Sequence, residues 1–241
     1  MGFEFVLYTG AIIIAITMAV VVHEVAHGYT ALILGDQTAK IMGRLTLNPI
    51  AHIHWFGTIV MPLGIYLLTL YTYGQGLAFA FAKPLPVDFR NLRDPKKDMI
   101  WVAAAGPGVN IVMAVIYASL LRILLLLSPA AIEMFDNMQH GAPLNLDTSL
   151  SLLTLFFALQ FFYASVIINV ILAIINLIPV PPADGGRIVA GLLPDPQAQK
   201  YAAVEPYGLG ILILILYFNP LNIINWTIGP VMNGLLHLLL D

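Results

Sequence analysis

Cysteine is absent from this chain of 241 residues, and charged side chains make up only 10% of it. Without cysteine the protein can form neither disulfide bonds nor thiolate ligands for a metal. Soluble domains carry about 25% charged residues. The low charge, together with 60% hydrophobic residues, therefore excludes an ordinary soluble domain and predicts a polytopic membrane protein. The net charge of −3 argues against a nucleic-acid partner.

The N-terminus lacks the basic segment and the small-residue cleavage site of a secretory signal peptide. We therefore expect the first apolar segment to be retained as a membrane span. The chain shows no internal repeat, and its length suits a single membrane domain over residues 1–241, without a separate soluble module.

Apolar stretches long enough to form membrane, re-entrant or buried helices recur along the chain. They cover residues 5–32, 56–73, 99–127, 150–178, 207–218 and 223–240. Two shorter segments, Thr38 to Leu47 and Leu77 to Val87, are rich in small or β-favouring residues, and we expect them to pair as strands. The predicted fold is an all-α polytopic membrane protein with about five to six transmembrane or re-entrant helices and a small membrane-associated β element.

The basic residues predict the topology. Nine of the ten Lys and Arg residues fall within residues 33–54, 74–98 and 179–205. The positive-inside rule places all three regions on the cytoplasmic side. Residues 56–73 lie between the first two regions, so we expect a re-entrant segment there. An ordinary span, with one basic loop outside, is the alternative.

The sequence His23-Glu24-Val25-Ala26-His27 follows an uncharged run from Val6 to Val22. On a helix, the two His side chains of an H-E-x-x-H motif lie one turn apart on one face and can share a metal ion, while the Glu can act as a base toward water. Apolar residues follow the motif, so it lies below the membrane surface. Ionisable groups are costly there and indicate function. A chance match on a soluble surface helix is the alternative, and this composition disfavours it.

A zinc ion bound by two His needs a third protein ligand and an open position for water. Asp184 is the strongest candidate, because the prolines of the segment 176–186 force irregular backbone and Gly185-Gly186 allow a close turn. The alternative is that Asp184 caps the helix that begins near Arg187. Its expected position, on the same side as the end of the H-E-x-x-H helix, favours the ligand interpretation.

A second polar interruption, Gly106-Pro107-Gly108-Val109-Asn110, lies near the start of the 99–127 stretch. Small residues permit close helix contact, and an asparagine in apolar surroundings needs a hydrogen-bond partner. That partner is either another helix or a substrate, and the residues alone leave both open.

Together, these three motifs resemble the site-2 protease family of intramembrane zinc metalloproteases. The resemblance extends to its small bacterial-type members, without PDZ or CBS domains, through the segments 43–49, 56–58 and 82–87. It implies one Zn²⁺ per chain, a cytoplasmic-membrane location and these site residues: His23, His27 and Asp184 for the metal, Glu24 as the catalytic base, and Asn110 and Asn176 in the substrate groove.

One departure from that family is the sequence His52-Ile53-His54, where relatives commonly read His-Ile-Asp. In an extended loop, residues two apart face the same side, so His52 and His54 are candidates for an accessory metal pair. The alternative is a pair of amphipathic residues beside Trp55 at the membrane interface.

The function expected from these features is regulated intramembrane proteolysis of transmembrane or membrane-proximal segments of other proteins within the lipid bilayer. A helical substrate must be locally unwound before cleavage, and the two predicted strands are candidates to hold it extended. A non-proteolytic scaffold and a metal-ion transporter are the alternatives. An intact Glu24 argues against the first, because zinc binding alone does not need that carboxylate. Ionisable residues confined to one depth argue against the second.

Overall fold

The structure is a computed structural model that describes residues 3–53, 64, 71, 83–140 and 149–240. Its α-helices are α1 Phe3–Leu34, α2 Thr38–Ile41, α3 Pro95–Leu127, α4 Pro129–His140, α5 Leu150–Asn176, α6 Asp184–Leu192, α7 Asp195–Ala202, α8 Glu205–Ile213 and α9 Gly229–Leu240. Short 3-10 turns occur at Pro49–His52, Phe89–Asn91 and Pro220–Asn222. Two π-helical stretches, Leu214–Phe218 and Ile224–Ile228, lie between α8 and α9.

Within the described ranges, three helices are long and apolar enough to cross a membrane: Phe5–Leu34 of α1, all of α3 and all of α5. The prediction of an all-α polytopic membrane protein agrees with this architecture. The predicted segments 207–218 and 223–240 form shorter helices. The predicted re-entrant segment, residues 56–73, lies outside the described residues apart from Gly64 and Tyr71.

Local sequence signals explain where the long helices begin and end. Gly35 ends α1 with a φ of 120°, which favours glycine, while the N–H of Asp36 donates to the Ala31 carbonyl over 2.9 Å. At the start of α3 the Asp94 side chain accepts from the Lys97 N–H, and the Asp98 side chain accepts in return from the Asp94 N–H. This reciprocal pair is a variant of the capping box, with the acidic side chain one residue later than usual, and it fixes the first turn of α3.

Helices α1, α3 and α5 pack against one another and form the centre of the molecule. On α1 the buried face carries small residues at every fourth position, with Ala11, Ala15 and Ala19 at most 2% exposed. His23 and His27 continue the same spacing and are buried as well. Small residues allow close approach of helices in a membrane, so this packing carries both imidazoles into the helix bundle.

The predicted strand over Thr38 to Leu47 is wrong. Thr38–Ile41 form α2, and the chain then turns at Gly43, whose φ is 65°. In the second predicted strand, residues 77–82 lie outside the described part of the chain, and residues 83–87 are neither helix nor strand. Pro84 and Pro86 have no N–H to donate, so a regular ladder along that segment loses two hydrogen bonds.

Both described flanks of residues 54–82 lie at the end of the bundle where α1 ends. The Lys83 N–H donates to the His52 carbonyl over 2.9 Å. Asp36, which is 1% exposed, accepts from the Asp88 N–H and from the Asn91 side chain. Burial raises the pKa of Asp36, but its hydrogen bonds outweigh burial and hold that pKa below the usual value. An ionised Asp36 therefore joins the second flank to the end of α1.

Candidate metal centre

His23, His27 and Asp184 meet in the interior, although Asp184 is remote from the other two in the sequence. The Asp184 Oδ2 atom lies 3.2 Å from His23 Nε2 and 3.3 Å from His27 Nε2, and the two Nε2 atoms are 3.0 Å apart. All three residues are less than 9% exposed. Among the described residues, this is the group of His and acidic side chains arranged closely enough to hold a metal ion.

Asp184 reaches the site because the chain folds tightly after α5. A side chain at Gly185 would collide with the Leu177 carbonyl, and one at Gly186 would collide with Pro181. The close turn expected from the glycine pair is therefore present. Asp184 itself is the first residue of α6 and makes no capping hydrogen bond, so the helix-cap alternative is not what the structure shows.

Helices α7 and α8 support this loop from the outside. The Tyr201 hydroxyl donates to the Pro179 carbonyl over 2.7 Å. Gly208 of α8 packs so closely on the Pro181 carbonyl that a Cβ atom there would overlap it. The loop that carries Asp184 is thus held between α5 and the helices that follow it.

The hydrogen bonds of the two imidazoles direct their free lone pairs into the site. His27 Nδ1 lies 2.7 Å from the Val102 carbonyl, which can only accept, so Nδ1 carries the proton and Nε2 of the neutral ring has a lone pair. His23 Nδ1 lies 2.5 Å from Asn110 Oδ1 and is likewise the donor. Histidines that ligate metals commonly donate their second N–H in this way.

These atoms fit a cation. The Asp184 carboxyl group is buried and directs Oδ2 at both rings. Its Oδ2 atom is buried and has no hydrogen-bond partner. A carboxylate oxygen and two imidazole lone pairs within 3.3 Å of one another repel unless a positive charge lies between them. Two His and one carboxylate are also a common catalytic ligand set for zinc.

Gly106 of α3 leaves the space that this group needs. A Cβ atom at this position would lie 2.6 Å from His23 Nε2 and closer still to His27 Nε2. The helix backbone therefore approaches both metal-facing nitrogens at a point where every other residue would place a methyl group or more.

Glu24 is half-buried beside these ligands on α1. Its Oε2 atom accepts a hydrogen bond of 2.8 Å from the Leu85 N–H. The Leu85 side chain, in turn, packs where a side chain at Gly28 would stand, one turn along the helix. The segment after residue 82 therefore orients the Glu24 carboxylate, a contact that sequence reasoning did not predict.

Asn110 and Asn176 differ in their surroundings. Asn110 is 0% exposed and contacts His23, so the interhelical interpretation of this residue describes the structure. Its predicted contact with substrate stays a prediction. Asn176 is half-buried at the end of α5 and donates to the Leu172 carbonyl over 2.9 Å. Its position just before the loop that carries Asp184 is compatible with the predicted groove.

Of the predicted second metal pair, His52 lies among the described residues. His52 is 3% exposed, and its Nε2 atom donates to the Thr46 carbonyl over 2.8 Å. This bond fixes the loop after α2 and occupies one ring nitrogen of His52. His54 lies outside the described residues, so the pair itself stays a prediction.

Sequence reasoning missed Asn169 of α5, which is 0% exposed and hydrogen-bonds to Asn110. A signal for it was present, because an asparagine inside an apolar span needs a buried partner. The role of the Val102 carbonyl had no such signal, since every residue of a helix carries a carbonyl group.

Comparison with known proteins identifies the family. The model of peptidase family M50 matches residues 11–217. The chain is 33% identical over 223 residues to the Bacillus subtilis protein named "Putative zinc metalloprotease YwhC", covering 92% of this chain and 86% of that one. It is 25% identical to "Putative zinc metalloprotease Rip2" of Mycolicibacterium smegmatis, covering 89% and 71%. No solved structure matches. With its zinc-type ligand group inside a helical membrane bundle, the chain belongs to peptidase family M50, the site-2 protease family of zinc metalloproteases.

Proposed function

We propose that this zinc metalloprotease cleaves transmembrane or membrane-proximal segments of other proteins inside the bilayer. The observation that carries the proposal is the depth of the ligand group. His23 precedes the end of α1 at Leu34 by 11 residues, which corresponds to roughly 16 Å of helix. The hydrocarbon core of a bilayer is about 30 Å thick. A site at that depth is suited to peptide bonds that lie within a membrane.

In this proposal His23, His27 and Asp184 hold one zinc ion, and Glu24 is the catalytic base. Bound zinc supplies Lewis-acid chemistry, which acidifies water and polarises a peptide carbonyl. The Glu24 carboxylate takes a proton from the attacking water and delivers it to the nitrogen of the leaving amine. The Leu85 N–H keeps that carboxylate in place.

The cytoplasmic side is the proposed location of the site. One end of the bundle carries Asp36, the flanks of residues 54–82 and the Asp184 loop. The described parts of the three basic regions lie at the same end. The positive-inside rule therefore places this end in the cytoplasm. Placing both flanks at one end of the bundle supports a re-entrant course for residues 56–73 rather than a single span.

Incubation of purified protein with a panel of single-span membrane proteins tests the proposal. Wild-type protein is expected to release fragments that end within or beside the span. Glu24→Gln protein is expected to retain zinc and release none, because the amide keeps the size of the side chain but cannot take the proton. Equal fragment yield from both proteins would remove Glu24 as the base. A wild-type protein that carries zinc but cleaves nothing would favour the scaffold.

A further inference from the structure

A row of buried polar side chains links the metal centre to α5. His23 on α1 contacts Asn110 on α3, and Asn110 contacts Asn169 on α5. Asn110 and Asn169 are both 0% exposed. Asn169 itself makes no hydrogen bond to either histidine ring, and the mechanism proposed above gives it no role.

Two backbone carbonyls determine which atom donates in each hydrogen bond between these side chains. The Ser165 carbonyl can only accept, so the side-chain Nδ2 of Asn169 donates to it over 2.8 Å. Asn169 therefore turns its Oδ1 atom toward Asn110 and accepts from Asn110 Nδ2 over 2.7 Å. The Ala19 carbonyl accepts from the same Nδ2 atom over 3.3 Å. Both hydrogens of the Asn110 amide are then used, and its oxygen is left to face His23.

We propose that Asn169 is a positioning residue for the zinc centre, acting through Asn110. By holding the amide of Asn110 in one orientation, Asn169 ensures that an acceptor faces His23 Nδ1. His23 must then carry its proton on Nδ1, and the lone pair of Nε2 faces the site. The inference rests on the proposed function, because it assumes that zinc binds at His23, His27 and Asp184.

The opposite orientation of the amide would disable His23 as a ligand. With the NH₂ group of Asn110 turned toward Nδ1, that nitrogen would have to accept, and the proton would move to Nε2, where the metal must bind. Asn110 is 0% exposed and His23 is 5% exposed, so such a mismatch would leave buried polar atoms unpaired. A buried amide that is not held by Asn169 is free to adopt both orientations, apart from the longer bond to Ala19.

The expected effect is a loss of zinc affinity. Removing the group that orients a ligating histidine typically weakens metal binding by about 10- to 100-fold. Asn110→Leu removes the acceptor itself and should lie at the upper end of that range. Asn169→Leu leaves the bond to the Ala19 carbonyl and should lie near the lower end, about 10-fold.

Asn169→Asp is the conservative variant that should restore binding. A carboxyl group keeps an oxygen that accepts from Asn110 Nδ2, whereas leucine offers none. A merely structural role for Asn169 predicts the reverse order, because leucine is well tolerated inside an apolar helix bundle and a carboxyl group is not. Gln160→Leu on the same helix is the control, because the Gln160 side chain makes no hydrogen bond with the described residues.

The experiment is a competition for zinc between a chelator of known affinity and each metal-free purified protein, with helix content measured in parallel. We expect wild type, Gln160→Leu and Asn169→Asp to bind alike and Asn169→Leu to bind about 10-fold more weakly at unchanged helix content. Wild-type affinity in Asn169→Leu, or a weaker Asn169→Asp than Asn169→Leu, would overturn the inference while leaving the proposed protease intact. Failure of the wild type to bind zinc would overturn the proposed metal site instead.

Discussion

Gly106→Ala should inactivate the metal centre through a single methyl group. The added Cβ atom would lie 2.6 Å from His23 Nε2 and closer to His27 Nε2. Carbon and nitrogen atoms in ordinary contact are about 3.5 Å apart, so the rings, or α3 itself, must move by roughly 1 Å. The rings have little room to yield, because His23 is held by Asn110 and His27 by the Val102 carbonyl.

A displacement of this size exceeds what a zinc site tolerates. Ligand distances must hold to within about 0.2 Å, and a misplacement of about 1 Å can cost a factor of 100 in activity. We expect zinc affinity to fall by about 100-fold or more, which corresponds to at least about 2.7 kcal/mol. Chelator competition on purified protein measures the affinity, and cleavage of a single-span substrate measures the activity.

Gly108→Ala is the matched control for this prediction. Gly108 lies on the same helix, is exposed, and has no atom within 4 Å of the place where a Cβ would stand. Alanine there should bind zinc normally and stabilise α3 by up to about 1 kcal/mol, because it favours the helix over glycine. Normal zinc affinity in Gly106→Ala would refute the argument that this glycine makes room for the metal.

Three further predictions test the surroundings of the site. Asp184→Asn should reduce zinc content and cleavage together, because a neutral amide is a poor substitute for a carboxylate ligand, and normal zinc in that protein would place the third ligand elsewhere. Gly208→Ala should destabilise the protein by about 1–3 kcal/mol through overpacking, seen as a lower Tm, whereas Gly210→Ala, with open space around it, should not. Single cysteines introduced into this cysteine-free chain should report the topology. In intact cells, a membrane-impermeant thiol reagent should label a cysteine at Asn137 and leave those at Gln37, Asn91 and Gln197 unlabelled. Labelling at Asn91 would contradict the proposed re-entrant course of residues 56–73.

Some failures of sequence reasoning have a common physical cause. The segment from Thr38 to Leu47 has the composition of a strand, yet it contains α2 and a turn. Strand propensity is weak and depends on a partner strand, and no such partner is present among the described residues. For Asn110 the sequence leaves a substrate contact and an interhelical contact open, because it shows that a buried amide needs a partner but not which partner is near.

The sequence by itself determined the features that depend on local periodicity and composition. Apolar runs predict the three long helices, the spacing of His23 and His27 puts both rings on one helix face, and the proline and glycine residues around Asp184 predict the close turn. Only the tertiary structure decided the contacts between segments that are remote in sequence. The space at Gly106, the hydrogen bond from Leu85 to Glu24 and the chain through Asn169 arise from how α1, α3 and α5 pack, and helix packing depends on side chains from all three helices at once.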